Sequence, residues 1–386
     1  MLSPLDDTLR HVLPTTFDHA FTSDPRFFDR YWFAIYDPSG AEPAINTGMC
    51  SYLNMNVLDG YASVILDGRQ RNLRVSREYR PYVFEASPNV SEVGPLTVTV
   101  EKPFEEIRLQ CAPNEHGISY DMLWKAAIAP HEELPNFSRV RGRMNQNYLR
   151  YNQVATVDGW IEIDGRRFEM DRWWGGRDHS WGIRTDVAGG EPVTGDDPPH
   201  GTVGTLWSWL IFGTLGGDGA CGYVQLQEVN ERPTYVEALL RWPGEGKPDL
   251  HAADVRLDFE PHPGTRRFRT ATYTVVVDDE GPAGGEWKIA MTPISHSLAM
   301  KGLGYSLGYT DGRGFGVWRG PSHVEYDEYD VSHPEDVVFP DGTVERPYHR
   351  DCAVTVEVTS PTGEVTTGAG HCAILPIGPS RRPGLP

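Results

Sequence analysis

The chain has 386 residues, enough for two cores of ordinary domain size, and its 39% hydrophobic and 23% charged content with 11 Trp, 17 Tyr and 14 Phe excludes a disordered protein. Lys plus Arg number 35 against 54 Asp plus Glu, so a surface with formal charge −19 repels a phosphate backbone and nucleic acid is not an expected partner. The five scattered cysteines show no Cys-x-x-Cys spacing, which argues against a disulfide framework or a zinc site. The opening Met1-Leu-Ser-Pro-Leu lacks a basic start leading into an apolar run, and no window approaches a membrane span. The expectation is a soluble, cytoplasmic chain without stable membrane insertion.

Residues 1 to about 30 carry the Ser23-Asp24-Pro25 helix-start signal, so a short helix or two is expected there. Short runs rich in β-branched and aromatic residues follow at Tyr31–Tyr36, Met49–Leu58, Tyr61–Leu66, Leu96–Glu101, Ile107–Cys111 and Ile118–Lys125, bounded by Gly, Pro or Asn. Strands at this spacing, with no helical periodicity between them, predict antiparallel barrels or sandwiches. From Ala126 to Val154 the alternation is lost among Pro130, Pro135, Arg139, Arg141 and Arg143, so a long loop is expected. Closure over a pocket and a solvated arginine face are equal readings of it. Strands resume at Val154–Val157, Trp160–Ile163 and Arg167–Met170, where Asp158-Gly159 and Asp164-Gly165 both predict hairpin turns.

Asp171-Arg-Trp-Trp-Gly-Gly-Arg-Asp-His-Ser-Trp-Gly-Ile-Arg184 comes next, a concentration of indole rings, proton-active groups and backbone hinges that suggests a pocket wall. His179 is the side chain there that titrates nearest physiological pH, with Asp178 beside it. In an extended segment His179 and Trp181 share one face and Asp178 the other, unless a bulge at Gly175-Gly176 re-aims it. The alternative is a packed core, with the tryptophans as filling and Arg177 and Asp178 paired. The Gly- and Pro-rich stretch at 191–202 has little to pack and predicts a linker, dividing the chain into an N-terminal domain of residues 1–190 and a C-terminal one of residues 203–386. The second half repeats the style of the first, with ten candidate strands from Thr205–Phe212 to Thr366–Leu375, among them Gly304–Tyr309 and Gly314–Trp318. Gly320–Asp330 reads best as an exposed acidic loop.

Gly176-Arg-Asp-His-Ser-Trp-Gly182 near the seam of two all-β halves resembles the tandem lipocalin-like (calycin) family of carotenoid 1,2-hydratases, AttH-like and kievitone-hydratase-like proteins and related decalin-forming Diels–Alderases. Gly320–Tyr326 is a weaker match. The resemblance implies two lipocalin-like antiparallel β-barrels or sandwiches, and between them an apolar cavity for a terpenoid, carotenoid or polyketide-like substrate. It implies His179 as a polar pocket group and Trp181 as a ring face against the substrate; with them, the residue types make His179 and Asp178 the catalytic candidates and Trp181, Trp174, Arg177, Trp207, Trp209, Glu325 and Tyr326 the candidate substrate contacts. The hydratases' Tyr-x-Asp acid is absent where it is expected, near Thr205-Leu-Trp-Ser-Trp209, so Asp178 or a carboxylate between Glu325 and Asp330 has to replace it.

Two functions follow. One is a cofactor-independent hydratase, dehydratase, isomerase or cyclase in which an acid protonates an alkene and indole faces stabilise the cation. The other is a carrier for a lipid or isoprenoid. No metal or organic cofactor is expected: Gly302-Leu-Gly304 and Gly314-Phe-Gly316 precede no helix, the histidines show no ligand spacing on a helix, and Ser180 lacks a nucleophile elbow. The expected partner is a hydrophobic small molecule, and a homodimer is compatible with the sequence.

Overall fold

The computed structural model describes residues 13–40, 42–80, 89–140, 142–185, 187–188, 203–214, 219–244, 246–278, 281 and 283–386. The expected linker at 191–202 lies outside them, as do residues 1–12 of the expected N-terminal helix. Residues 13–26 form turns and bends with no helix.

The first sheet takes the strands β1 (Phe27–Tyr36), β2 (Ala44–Tyr52), β3 (Val57–Leu66), β4 (Arg69–Glu78), β5 (Val90–Val93), β6 (Leu96–Lys102), β7 (Glu106–Cys111), β8 (Ile118–Ala126), β9 (His131–Glu132), β10 (Asn136–Val140), β11 (Arg143–Ile163) and β12 (Arg166–Ile183). The second takes β13 (Thr205–Gly213), β14 (Cys221–Val229), β15 (Arg232–Arg241), β16 (Leu250–His251), β17 (Asp254–Pro261), β18 (Phe268–Val277), β19 (Gly285–Pro293) and β20 (Leu298–Ala299). The chain then returns to the edge of the first sheet for β21 (Ser322–Asp330), β22 (Val337–Val338) and β23 (Val344–Glu345), and closes the second with β24 (Arg350–Thr359) and β25 (Val365–Ile377). Each sheet curls around a core of its own, so the fold is all-β and lipocalin-like in both halves. Phe33, Ile35, Trp124 and Ile161 fill the first core, and Leu210, Phe212, Tyr273 and Ile289 the second. A third cluster, with Trp32, Tyr36, Trp174, Trp209 and Tyr223, is the seam where the sheets meet back to back. No helix among the described residues is long and apolar enough to cross a membrane.

The strand period of two decides which side chains reach the seam. On β12, Trp174, Asp178 and Ser180 face it, in register with Tyr36, Trp32 and Arg30 of β1. Trp173, Arg177, His179 and Trp181 point the other way, toward the interior of the first barrel. On β13 the same alternation sends Leu206, Leu210 and Phe212 inward and Trp209 and Ile211 to the seam.

Several expectations change. Residues 126–153 are not one long loop: β9 and β10 lie there and β11 begins at Arg143. The hydrophobic alternation is missing because the buried face of β11 is polar, with Glu133 Oε1 accepting from both Arg150 Nε and Asn152 Nδ2. Asp164-Gly165 is the expected hairpin turn, with positive φ of 49° and 78°. Asp158-Gly159, by contrast, is a bulge within β11, where Gly159 has φ 133° and a Cβ would lie 2.1 Å from the Asp121 carbonyl oxygen. Gly304–Tyr309 and Gly314–Trp318 are turns rather than strands, their aromatic pattern reflecting rings laid onto the first sheet, as in Phe315 against Tyr61 of β3. The acidic segment expected as an exposed loop is β21, whose Glu325 and Asp327 pair with Arg74 of β4.

Candidate functional site

A cavity of about 160 Å³ lies in the seam. β1 contributes Arg30 and Trp32, β11 contributes Tyr148 and Arg150, β12 contributes Asp178, and β13 contributes Trp207 and Trp209. Arg184 follows β12, Met300 and Tyr305 come from the connection that crosses the seam, and His349, Asp351 and Leu375 close the far wall.

The walls are aromatic. Trp209 meets Trp32 edge to face, with ring centroids 5.4 Å apart and planes at 85°, and Trp32 meets His371 at 5.0 Å. Trp207 lies against His349 at 5.9 Å. Polar groups converge between these rings. Asp351 Oδ1 lies 3.3 Å from His349 Nε2, and its Oδ2 lies 3.6 Å from His371 Nε2. Burial works against a charge at Asp351, yet the two imidazoles hold its carboxyl well below the usual carboxylate range. The carboxylate so placed sets a negative charge facing both imidazoles, although its Oδ1 and His371 Nε2 make no hydrogen bond among the described residues. Asp178 is also buried but loosely held: Ser180 Oγ donates to it across 3.4 Å, and Arg30 Nη2 stands 4.0 Å away. The Tyr305 hydroxyl accepts a hydrogen bond from Arg30 Nη1, and burial raises the Tyr305 phenol despite Arg30 and Arg184 beside it. Arg150 is anchored outside the cavity by Glu133 at 2.6 Å and by Gln225 across the seam at 2.6 Å.

Of the residues singled out in the sequence, Asp178, Trp207 and Trp209 meet in this cavity. His179 and Trp181 were expected to look into the hollow shared by both halves, but strand parity turns them to the opposite face. There His179 Nε2 contacts Asp29 Oδ1 at 2.7 Å and Nδ1 contacts the Tyr151 hydroxyl at 3.0 Å, with the Trp181 ring 5.3 Å away. Arg177 lies on that face too, buried over Trp124 and Tyr151 and donating to Gln153; its desolvation lowers the guanidinium. Trp174 faces the seam but is packed solid against Tyr36 at 5.0 Å. Glu325 and Tyr326 sit on β21, away from the cavity. Although burial works against its charge, Glu325 is held below its ordinary range by Arg74, His323 and Thr310, and Tyr326 stacks on His116 at 5.2 Å.

Sequence reasoning missed Arg30, Arg184, His349 and Asp351, and gave Tyr305 no particular weight. The one available signal was His349-Arg350-Asp351, whose spacing puts an imidazole and a carboxylate on one face of a strand. Among the described residues no group of three or more His, Cys, Asp or Glu is arranged to hold a metal ion.

A family model described as "Family of unknown function (DUF8625)" matches residues 2–385. No curated protein matches the chain. Among solved structures, a Nitrosomonas europaea protein provisionally described as AttH is similar, at 11% identity over 95% of this chain and 98% of that one, with a TM-score of 0.49.

Proposed function

The chain belongs to the family of unknown function DUF8625, and from its own geometry we propose that the seam cavity is the active site of a cofactor-independent enzyme working by acid–base chemistry on a largely hydrocarbon substrate. The observation that carries this reading is the meeting of Asp178 and the His349–Asp351 pair with Trp32, Trp207 and Trp209 around one small hollow. Proton-active groups beside indole faces are what protonation of an alkene, or ionisation of a tertiary alcohol, requires.

In the hydration direction the His349 imidazolium, balanced by Asp351, delivers a proton to one alkene carbon. The carbocation that forms on the other is faced by the tryptophan rings, and water adds to it as Asp178 takes the water's proton. Dehydration runs the same steps backwards. Isomerisation loses a different proton from the same cation, and cyclisation traps the cation with a second double bond. About 160 Å³ is close to the cavity that takes a benzene in an engineered protein, so the site holds the reacting end of a substrate and not a whole carotenoid.

The test is a panel of terpenoid, steroid and polyketide-like alkenes and alcohols incubated in deuterated water, with deuterium incorporation read by mass spectrometry. Asp178→Asn and His349→Gln are expected to lose incorporation while retaining substrate binding. A wild-type chain that binds panel members and incorporates no deuterium into any of them is a carrier.

A further inference from the structure

Two guanidinium groups share one wall of the cavity. The Arg30 guanidinium lies 5.9 Å from the Phe28 ring and 5.3 Å from the Tyr305 ring, and that of Arg184 lies 5.9 Å and 5.7 Å from the same two rings. Both side chains line the hollow. Arg30 is 4% exposed, and its Nε has no hydrogen-bond partner. The carboxylate beside it, Asp178, stands at 4.0 Å, and Arg184 makes no ion pair among the described residues. Arg150 differs from both, since Glu133 neutralises it at 2.6 Å.

Two cations gathered over the same rings repel each other, and burial makes an unmet guanidinium donor costly. Such an arrangement is built for an anion that arrives with the ligand, and the planar fork of arginine matches a carboxylate in particular. The same hollow carries apolar groups, Trp207, Trp209, Met300 and Leu375, beside the His349–Asp351 pair. We infer that the substrate is an amphipathic acid whose carboxylate is clamped between Arg30 and Arg184 while its hydrocarbon part lies against the tryptophans.

The inference rests on the seam cavity being the substrate site, and it deepens that reading by naming the head group. It also explains why Asp178 stays under-bonded: a head group drawn to the arginines leaves that carboxylate available for proton transfer.

Calorimetric titration with octanoate, 1-octanol and octyl phosphate tests it without any turnover. The wild-type chain is expected to bind octanoate at least about tenfold more tightly than octanol, the least that a charge-assisted pair contributes. Arg184→Gln, at a half-buried position where folding tolerates change, is expected to remove most of that preference and leave octanol affinity unchanged, and Arg184→Lys to keep part of it. Equal affinity for octanoate and octanol overturns the inference, as does a preference that survives Arg184→Gln. Tighter binding of octyl phosphate than of octanoate overturns the carboxylate assignment. A chain that exchanges deuterium into neutral alkenes and ignores octanoate loses this inference alone, whereas one that binds octanoate at Arg184 but turns nothing over keeps the clamp and loses the enzyme.

Discussion

Asp59 gives the sharpest physical prediction. This β3 carboxylate is 1% exposed; its Oδ2 accepts the Gly316 N–H at 2.7 Å, and its Oδ1 has no partner. Burial raises its pKa from 3.8 to about 6, against the opposing pull of the Ser76 and Gly316 hydrogen bonds and of Arg319 and His323. A carboxyl whose folded pKa lies above its unfolded value binds protons more tightly when folded. Its stabilising contribution is therefore complete below pH 4 and is lost as pH rises through about 6. The interval corresponds to about 3 kcal/mol, a substantial part of the stability of an ordinary domain. Asp59→Asn keeps an oxygen for Gly316 and removes the titration. Urea denaturation of both proteins between pH 4 and 8 cancels the contributions of every other carboxylate in the difference. The variant is expected to gain on the wild type by up to about 3 kcal/mol as pH rises across that range, with most of the gain between pH 4 and 6. A difference that stays flat with pH refutes the reasoning, whatever its offset. The consequence reaches the cavity, because Gly316 belongs to the same connection as Tyr305, a lining residue.

The all-β architecture was legible because alternation and turn chemistry are local signals, and Asp164-Gly165 shows them at their best. They fail where burial is polar. β11 hides Arg150 and Asn152 in the seam, so a strand of 21 residues begins inside what the sequence presents as a loop. Parity was readable on β12: Asp178 and His179 do take opposite faces. The missing information was which face meets the second sheet, since that depends on a packing partner that begins at Thr205, and an indole or an imidazole suits the barrel interior as well as the seam. His349 and Asp351 were hidden for a related reason. They join Asp178 only because β25, the strand paired with β24, is packed across the seam against β1 and β12, over a separation in sequence that no motif spans. The edge strand β21 crosses from the second half of the chain to the first sheet, and the Arg74 pairs that hold it are equally non-local.

Further perturbations test the packing that builds the site. Glu133→Ala leaves the buried Arg150 guanidinium without its carboxylate, so a loss of about 3–5 kcal/mol in urea unfolding is expected, reduced when Arg150→Met is added. Gly159→Ala drives a methyl group toward the Asp121 carbonyl oxygen from a backbone with φ 133°, and at least about 2 kcal/mol of stability is expected to go, read as a lowered urea midpoint with an unchanged slope. His179→Ala separates the two faces of β12. The hydrogen-bonded chain from Asp29 through His179 to Tyr151 lies on the barrel side, so its removal is expected to cost about 1–2 kcal/mol of stability and to leave kcat/KM of the same order. Asp178→Asn, one residue away on the seam side, is expected to do the reverse, abolishing turnover with little change in the urea midpoint because its hydrogen bond and ion pair are both at the limit of contact. Urea midpoints and deuterium incorporation measured on the same two preparations decide the matter. If turnover falls with His179→Ala and survives Asp178→Asn, the chemistry belongs in the mouth of the first barrel, and the seam cavity is left as a binding hollow.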